Sequence, residues 1–246
     1  MSRLFSSVVG SIKNLNRFER TLWTVSVIVI IVSFFAAGQP DVLVLCATLV
    51  GVTALVFVAK GDVLGQILCF IFSLLYAAVS FRFAYYGEMI SYIGMSGVIA
   101  LISTVSWIRH PYAEKQVKVN RLTRRCAFGV ALLTVAVTVA FYFILKLLGT
   151  ASLIVSTISI ATSFSASALT VLRSPYYAVM YSLNDIVLIT LWVIAAVSDP
   201  SSIPMIFCFV MFLINDLYGF YNWRRMEKQQ KTKAIEDDAD NIEKDR

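Results

Sequence analysis

The chain has 246 residues, 59% of them hydrophobic and only 15% charged, with a mean hydropathy of +0.78. Soluble domains are about half apolar and a quarter charged, so this composition excludes an ordinary soluble protein. The net charge of +6 needs no nucleic-acid partner, because the basic residues flank apolar runs, where anionic lipid headgroups would meet them.

A helix needs about 20 apolar residues to cross a hydrocarbon core of about 30 Å. Eight such stretches are predicted, over 21–37, 41–59, 64–82, 88–107, 126–148, 151–172, 175–197 and 202–223. The expected fold is an all-α integral membrane protein. Its segments are a basic N-terminus with an extra helix (1–38), a first three-helix bundle (41–107), a basic loop (108–125), a linker helix (126–148), a second bundle (151–223) and a tail (224–246). Residues 21–37 followed by "AAGQP" have some features of a signal peptide, but the apolar run is long for one and is read as a retained helix. The tail "EDDADNIEKDR" has no apolar periodicity and is expected to be a disordered end.

With the N-terminus inside, 19 of the 21 Lys and Arg fall on one side; Arg82 and Lys146 are the exceptions. Cytoplasmic loops are enriched in these residues, so both termini are expected in the cytoplasm. The four cysteines are scattered singly among apolar residues, which predicts buried thiols, no disulfide and no metal.

The chain also repeats. Lys60 to Trp107 and Arg173 to Trp223 each open on a lone basic residue after an apolar helix ("FVAK", "TVLR"). Each then turns at an acidic loop and ends on Trp beside a basic cluster ("VSWIRH", "YNWRR"). With the preceding helix, each is a three-helix unit. One intervening crossing lets the second unit enter with the orientation of the first, which predicts parallel repeats about an axis along the membrane normal.

This arrangement, with "YYAVMYSLNDIVLITLW" in the seventh helix and "FLINDLYGFYNW" in the eighth, resembles the PnuC-type nicotinamide riboside transporters, themselves similar to duplicated SWEET sugar transporters. The resemblance covers residues 41 to 226, and its most specific part is Asn-x-x-Tyr-Gly-x-Tyr-x-Trp at 215–223. The first repeat ends in "STVSWIRHPY" without that box, so the resemblance carries no ligand role onto that half. It implies facilitated diffusion of nicotinamide riboside by rocking of two bundles, with phosphorylation inside the cell trapping the product. It also implies a multi-pass protein of a plasma membrane, the bacterial inner membrane. Another vitamin or nucleoside, such as thiamine or riboflavin, would suit the same fold. An intramembrane enzyme or a helical interaction protein is the third reading. The oligomeric state stays open, a homo-oligomer included.

Polar residues inside the spans mark the candidate site, since ionisable groups in a bilayer face cavities or partners. Asn-Asp occurs twice, at Asn184-Asp185 and Asn215-Asp216, on consecutive helices. Helical spacing places Tyr177, Tyr181, Asn184 and Leu188 on one stripe, with Trp192 at its edge, and Met211, Asn215, Tyr218 and Asn222 on another. Neighbours diverge by about 100°, so both members of an Asn-Asp pair are not expected to point straight into one pocket. The predicted substrate-binding residues are Asn184, Asn215, Trp192, Tyr181, Asp185, Asp216, Tyr218 and Tyr177, with Gln66 and Ser73 from the first repeat. Aromatic faces attract a pyridinium ring, and amides and carboxylates suit its carboxamide and ribose. The plainer alternative is that these polar groups only join helices.

Trp23, Tyr85, Tyr86, Trp107, Tyr221 and Trp223 are expected as interfacial anchors, and the ten Ser and Thr of 150–170 as close-packing residues. Arg82 and Glu88 flank the loop "RFAYYGE" and are predicted to pair as a gate. Asp185, Asp216 and Glu88 form no evident chain of titratable groups, which predicts uniport. His110 is the lone histidine and is expected in a loop. Hydrolase, zinc-protease and Walker motifs are absent, so no catalytic residue and no cofactor is expected.

Overall fold

The computed structural model describes residues 15–37, 41–113, 116–150 and 152–244. Eight helices among them are long and apolar enough to cross a membrane. These are α1 (Arg17–Ala36), α2 (Val42–Lys60), α3 (Val63–Arg82), α4 (Tyr86–Arg109), α5 (Arg124–Leu147), α6 (Leu153–Val171), α7 (Tyr177–Ser198) and α8 (Ile203–Lys244). Local chemistry starts several of them: Asn16 and Glu19 form a reciprocal capping box, and Asp41, Asp62 and Thr123 each accept a hydrogen bond from a first-turn N–H.

Two boundaries differ from the sequence reading in an informative way. α4 contains a π-helical turn at Tyr92–Gly97, which widens the helix beside the cavity described below. α8 runs past the membrane-length segment to Lys244, although residues 236–246 lack apolar periodicity. Straight-chain Lys, Glu and Gln carry helix propensity without an apolar face, which periodicity does not register.

The two repeats are visible as repeated hydrogen-bond geometry. α2 ends with Gly61 in the left-handed region (φ 74°), Gly61 N–H on Val58 O (2.9 Å) and Asp62 N–H on Phe57 O (3.0 Å). α6 ends identically: Arg173 has φ 56°, its N–H donates to Thr170 O (3.0 Å), and Ser174 N–H donates to Leu169 O (3.0 Å). The same turn thus closes α2 and α6, the first helices of the segments α2–α4 and α6–α8, with α5 between these segments in the chain and α1 before them.

Helix α5 is the least buried of the eight, with Leu145 its one buried residue. A helix this apolar and this uncovered has lipid for its environment. The strand pair β1 (Pro111–Ala113) and β2 (Gln116–Val117) opens the α4–α5 connection, which lies across the basic end of the bundle. Val117 N–H donates to Gly61 O (3.1 Å) and Asn120 N–H to Arg173 O (3.0 Å), so this strap joins the equivalent turns of both repeats. Gln230 of α8 secures it, accepting from Val119 N–H (2.8 Å) and donating to Val117 O (3.1 Å).

Two aromatic layers close the core. At the basic end, Trp107, Tyr177 and Trp223 pack with Val117 and Met226. Toward the opposite end, Tyr76, Tyr85, Trp192 and Phe209 pack together.

Candidate functional site

Between these layers lies a cavity walled by α2, α3, α4, α6, α7 and α8. Its walls follow the repeat. The register of Gly61 and Arg173 equates Leu55 with Ser167, Val58 with Thr170, Cys69 with Tyr181 and Ser73 with Asp185, and every one of these lines the cavity. Trp107 and Trp223 likewise equate Ser96 with Phe212 and Ala100 with Asp216, again all lining. Equivalent positions of α2–α4 and α6–α8 thus line one cavity, whose acids, Asp185 and Asp216, both lie on the second segment.

Six of the ten predicted substrate residues line it: Gln66, Ser73, Tyr181, Asn184, Asp185 and Asp216. The Asn184 carbonyl oxygen accepts from Thr162 Oγ1 (2.8 Å) and Ser159 Oγ (3.3 Å). That fixes the amide and leaves its NH2 for the cavity. Tyr181 is held by Ser167 Oγ at 3.0 Å. The hydroxyl-rich α6 therefore orients site residues as well as packing closely; Ser165 also bonds Thr134 of α5 (2.9 Å). Gln66 is 3% exposed, and no hydrogen bond engages its amide among the described residues. The carboxyl groups of Asp185 and Asp216 lie within hydrogen-bonding reach of each other, and both are buried. Among the described residues, no Lys, Arg or His lines the cavity.

Four predicted residues sit elsewhere. Trp192 is fully buried in the layer opposite the basic end, where its indole N–H donates to Tyr76 OH (3.0 Å) and its ring meets Phe83 and Tyr85 edge-on. Asn215 turns back on its own helix and donates to Met211 O (2.7 Å). Tyr218 reaches α1, its hydroxyl donating to Glu19 Oε1 (3.0 Å). Tyr177 packs between Tyr181 and Trp223 in the basic-end layer. On α8 the cavity stripe is thus Phe212–Asp216, one position on from the expected Met211–Asn215 stripe. Helix rotation is set by packing, which spacing alone does not specify. On α7, by contrast, Asn184 and Asp185 both reach the cavity, because its wall wraps around more than one face of the helix.

The predicted Arg82–Glu88 pair does not form. Arg82 pairs with Asp41 at the start of α2, while Glu88 is fully buried and accepts from Ser159 Oγ (3.4 Å). A hydroxyl partner inside the bundle, rather than loop proximity, decides where Glu88 points. Ser159 thereby links Glu88 to Asn184, a connection with no trace in the sequence. Of the expected anchors, Tyr85, Trp107 and Trp223 are buried in the two layers, whereas Trp23 and Tyr221 are exposed and Tyr86 half-buried. Sequence reasoning passed over Phe72, Tyr92 and Phe212, the aromatic walls of the cavity, whose apolar surroundings gave no signal. His110 is exposed at the α4 end; none of the four cysteines forms a disulfide, and against the expectation of buried thiols only Cys208 is buried, Cys46 being exposed on an apolar helix.

A family model described as nicotinamide mononucleotide transporter matches residues 41–225. The chain belongs to this family. It is accordingly a multi-pass membrane transporter and not an enzyme. A similar curated protein is the nicotinamide riboside transporter PnuC of Neisseria mucosa, 29% identical over 189 residues, which are 74% of this chain and 72% of that protein. The fold is similar to the crystal structure of the vitamin B3 transporter PnuC, with a TM-score of 0.78 and 27% identity over 88% of this chain and 94% of that one. The family span begins at α2, so α1 lies outside it. The box at 215–223 that carries the resemblance is largely a packing device here. Gly219 admits Tyr177 and Ala59, Asn222 donates to Ala59 O (2.9 Å), and Trp223 donates to Val58 O (3.0 Å). Asp216, inside the box, is its cavity residue.

Proposed function

We propose that this transporter takes up nicotinamide riboside by facilitated diffusion, alternating access between the α2–α4 and α6–α8 units. The observation that carries this reading is the cavity wall. It combines aromatic faces (Phe72, Tyr92, Phe212), amides (Gln66 and the NH2 of Asn184) and a carboxyl pair, with no basic side chain among the described residues. A flat pyridinium cation with a carboxamide and ribose hydroxyls finds a partner for each feature. A mononucleotide would bring a phosphate into a wall that has two acids and no cation, which favours the riboside over its phosphate. The two aromatic layers serve as the alternating gates. Phosphorylation inside the cell traps the product, and the protein sits in the bacterial inner membrane with both termini cytoplasmic.

Uptake of labelled nicotinamide riboside into proteoliposomes tests this. With the potential held at zero, uptake should stop at equal concentrations inside and outside, and nicotinamide mononucleotide should not compete. Accumulation driven by an imposed pH or sodium gradient would refute facilitated diffusion. Preferential uptake of the mononucleotide, thiamine or riboflavin would refute the cargo.

A further inference from the structure

Among the described residues, the cavity holds two acids in contact and no cation to neutralise them. Asp185 of α7 and Asp216 of α8 are 2% and 3% exposed, and their carboxyl groups approach within hydrogen-bonding reach. Asp185 Oδ2 finds no donor among the described residues. Two carboxylates can hydrogen-bond only with a proton between them, and a pair at such contact does not carry two full charges side by side. The remaining titratable groups facing the pair are the Cys69 thiol of α3, the Tyr92 phenol of α4, the phenols of Tyr177 and Tyr181 on α7, and the Cys208 thiol of α8. α2 and α6 add no titratable side chain to the wall. Among the described residues, no positive group lines the cavity to balance the pair.

We propose that Asp185 and Asp216 together form the charge-selecting element of the cavity: with one proton shared between them they present a single negative charge, matched to a singly positive cargo. The inference rests on the riboside reading and adds why the cation, rather than a neutral nucleoside, is taken. The loaded cavity is neutral overall, one negative charge against one positive, so the cargo crosses without an unbalanced charge in a region where such charges are costly. The empty cavity keeps the negative charge and is the form that senses membrane potential. Either carboxylate alone can supply the charge, so the two acids are redundant for its sign.

The test compares nicotinamide riboside with its reduced dihydropyridine form, which has nearly the same skeleton and no charge. Calorimetric titration of the purified full chain should show at least about tenfold tighter binding of the cation. Asp185→Asn and Asp216→Asn should each keep that ratio, whatever their absolute affinities, and the double variant should lose it. A ratio retained in the double variant, or lost in either single one, overturns the proposal. Failure of the wild type to bind either form would instead overturn the riboside reading, and this inference with it; it is seen as absent heat rather than an altered ratio. Infrared spectroscopy gives a ligand-free readout should the double variant not fold. The carbonyl stretch of a protonated carboxyl should be present in the wild type and vanish from both single variants, whose lone carboxylate faces an amide. Its absence from the wild type overturns the shared proton. Glu88 is another fully buried carboxyl of the bundle, so the comparison is made on an E88Q background.

Discussion

Trp107 and Trp223 make the same hydrogen bond to opposite repeats. The Trp107 indole N–H on α4 donates to Thr170 O on α6 (3.1 Å), and that of Trp223 on α8 donates to Val58 O on α2 (3.0 Å). Thr170 and Val58 are equivalent positions, each three residues before the left-handed residue that ends its helix. Their rings touch, 5.3 Å between centroids. The two units therefore interlock at the basic end by exchanging one tryptophan each.

Replacing either tryptophan with Phe should have nearly equal cost. Each change leaves a buried carbonyl without that donor and removes ring area, about 1 to 3 kcal/mol. Melting in detergent measures it. A threefold difference between the two variants would contradict an equivalent exchange.

Asn184 and Asn215 should separate. Asn184→Leu removes an amide facing the cavity, and with it one acceptor each of the Ser159 and Thr162 hydroxyls. Ligand affinity should fall about 5- to 150-fold, the cost of an unpaired buried polar group. Asn215→Leu loses only an intrahelical bond and should change melting temperature but not affinity. Trp192→Phe should likewise lower the melting temperature, through the lost bond to Tyr76, and leave affinity unchanged. Equal affinity losses in all three would place the site elsewhere.

Gly51 controls the cavity width. A Cβ there would lie 2.4 Å from Phe212 Cζ and 2.9 Å from Phe72 Cε2, both cavity walls. Gly51→Ala should push these rings inward, costing about 1 to 3 kcal/mol by overpacking and slowing uptake. Uptake at the wild-type rate would show that neither ring bounds the path.

Arg82 should couple to Asp41 and not to Glu88. Charge reversal at both Arg82 and Asp41 should recover part of the loss of either single reversal. The exposed pair is worth under about 1 kcal/mol, and Asp41 also caps α2. Reversal at Arg82 and Glu88 together should recover nothing, because burying an arginine at position 88 strands a charge against Ser159. Transport and melting of the two double variants decide between these partners.

Residue 84 offers a gain. Ala84 has φ 56°, a conformation that costs residues with a Cβ about 1 to 2 kcal/mol. Glycine is free of that penalty but loses more entropy on folding. Ala84→Gly should raise stability by up to about 1 kcal/mol in thermal melting, and a clear loss would show that the methyl group packs.

The sequence by itself determined eight membrane-length helices, the doubling into two units and the second-repeat acids, because each is written in local pattern: apolar length, repeated punctuation and rare polar residues in lipid-length runs. It also pointed to Gln66, Ser73, Tyr181, Asn184, Asp185 and Asp216, all in the cavity. Only the tertiary structure decided that Asn215 bonds its own helix while Asp216 faces the cavity, since a shift of one position is a rotation of about 100° set by packing against α2 and α7. It alone sent Glu88 inward to Ser159 and paired Arg82 with Asp41, because partners distant in sequence are chosen by burial and geometry. Likewise, Trp192, Trp107 and Trp223 became aromatic layers because helices meeting at both ends of a cavity must fill the space between them with large side chains, whatever the residues suggest singly.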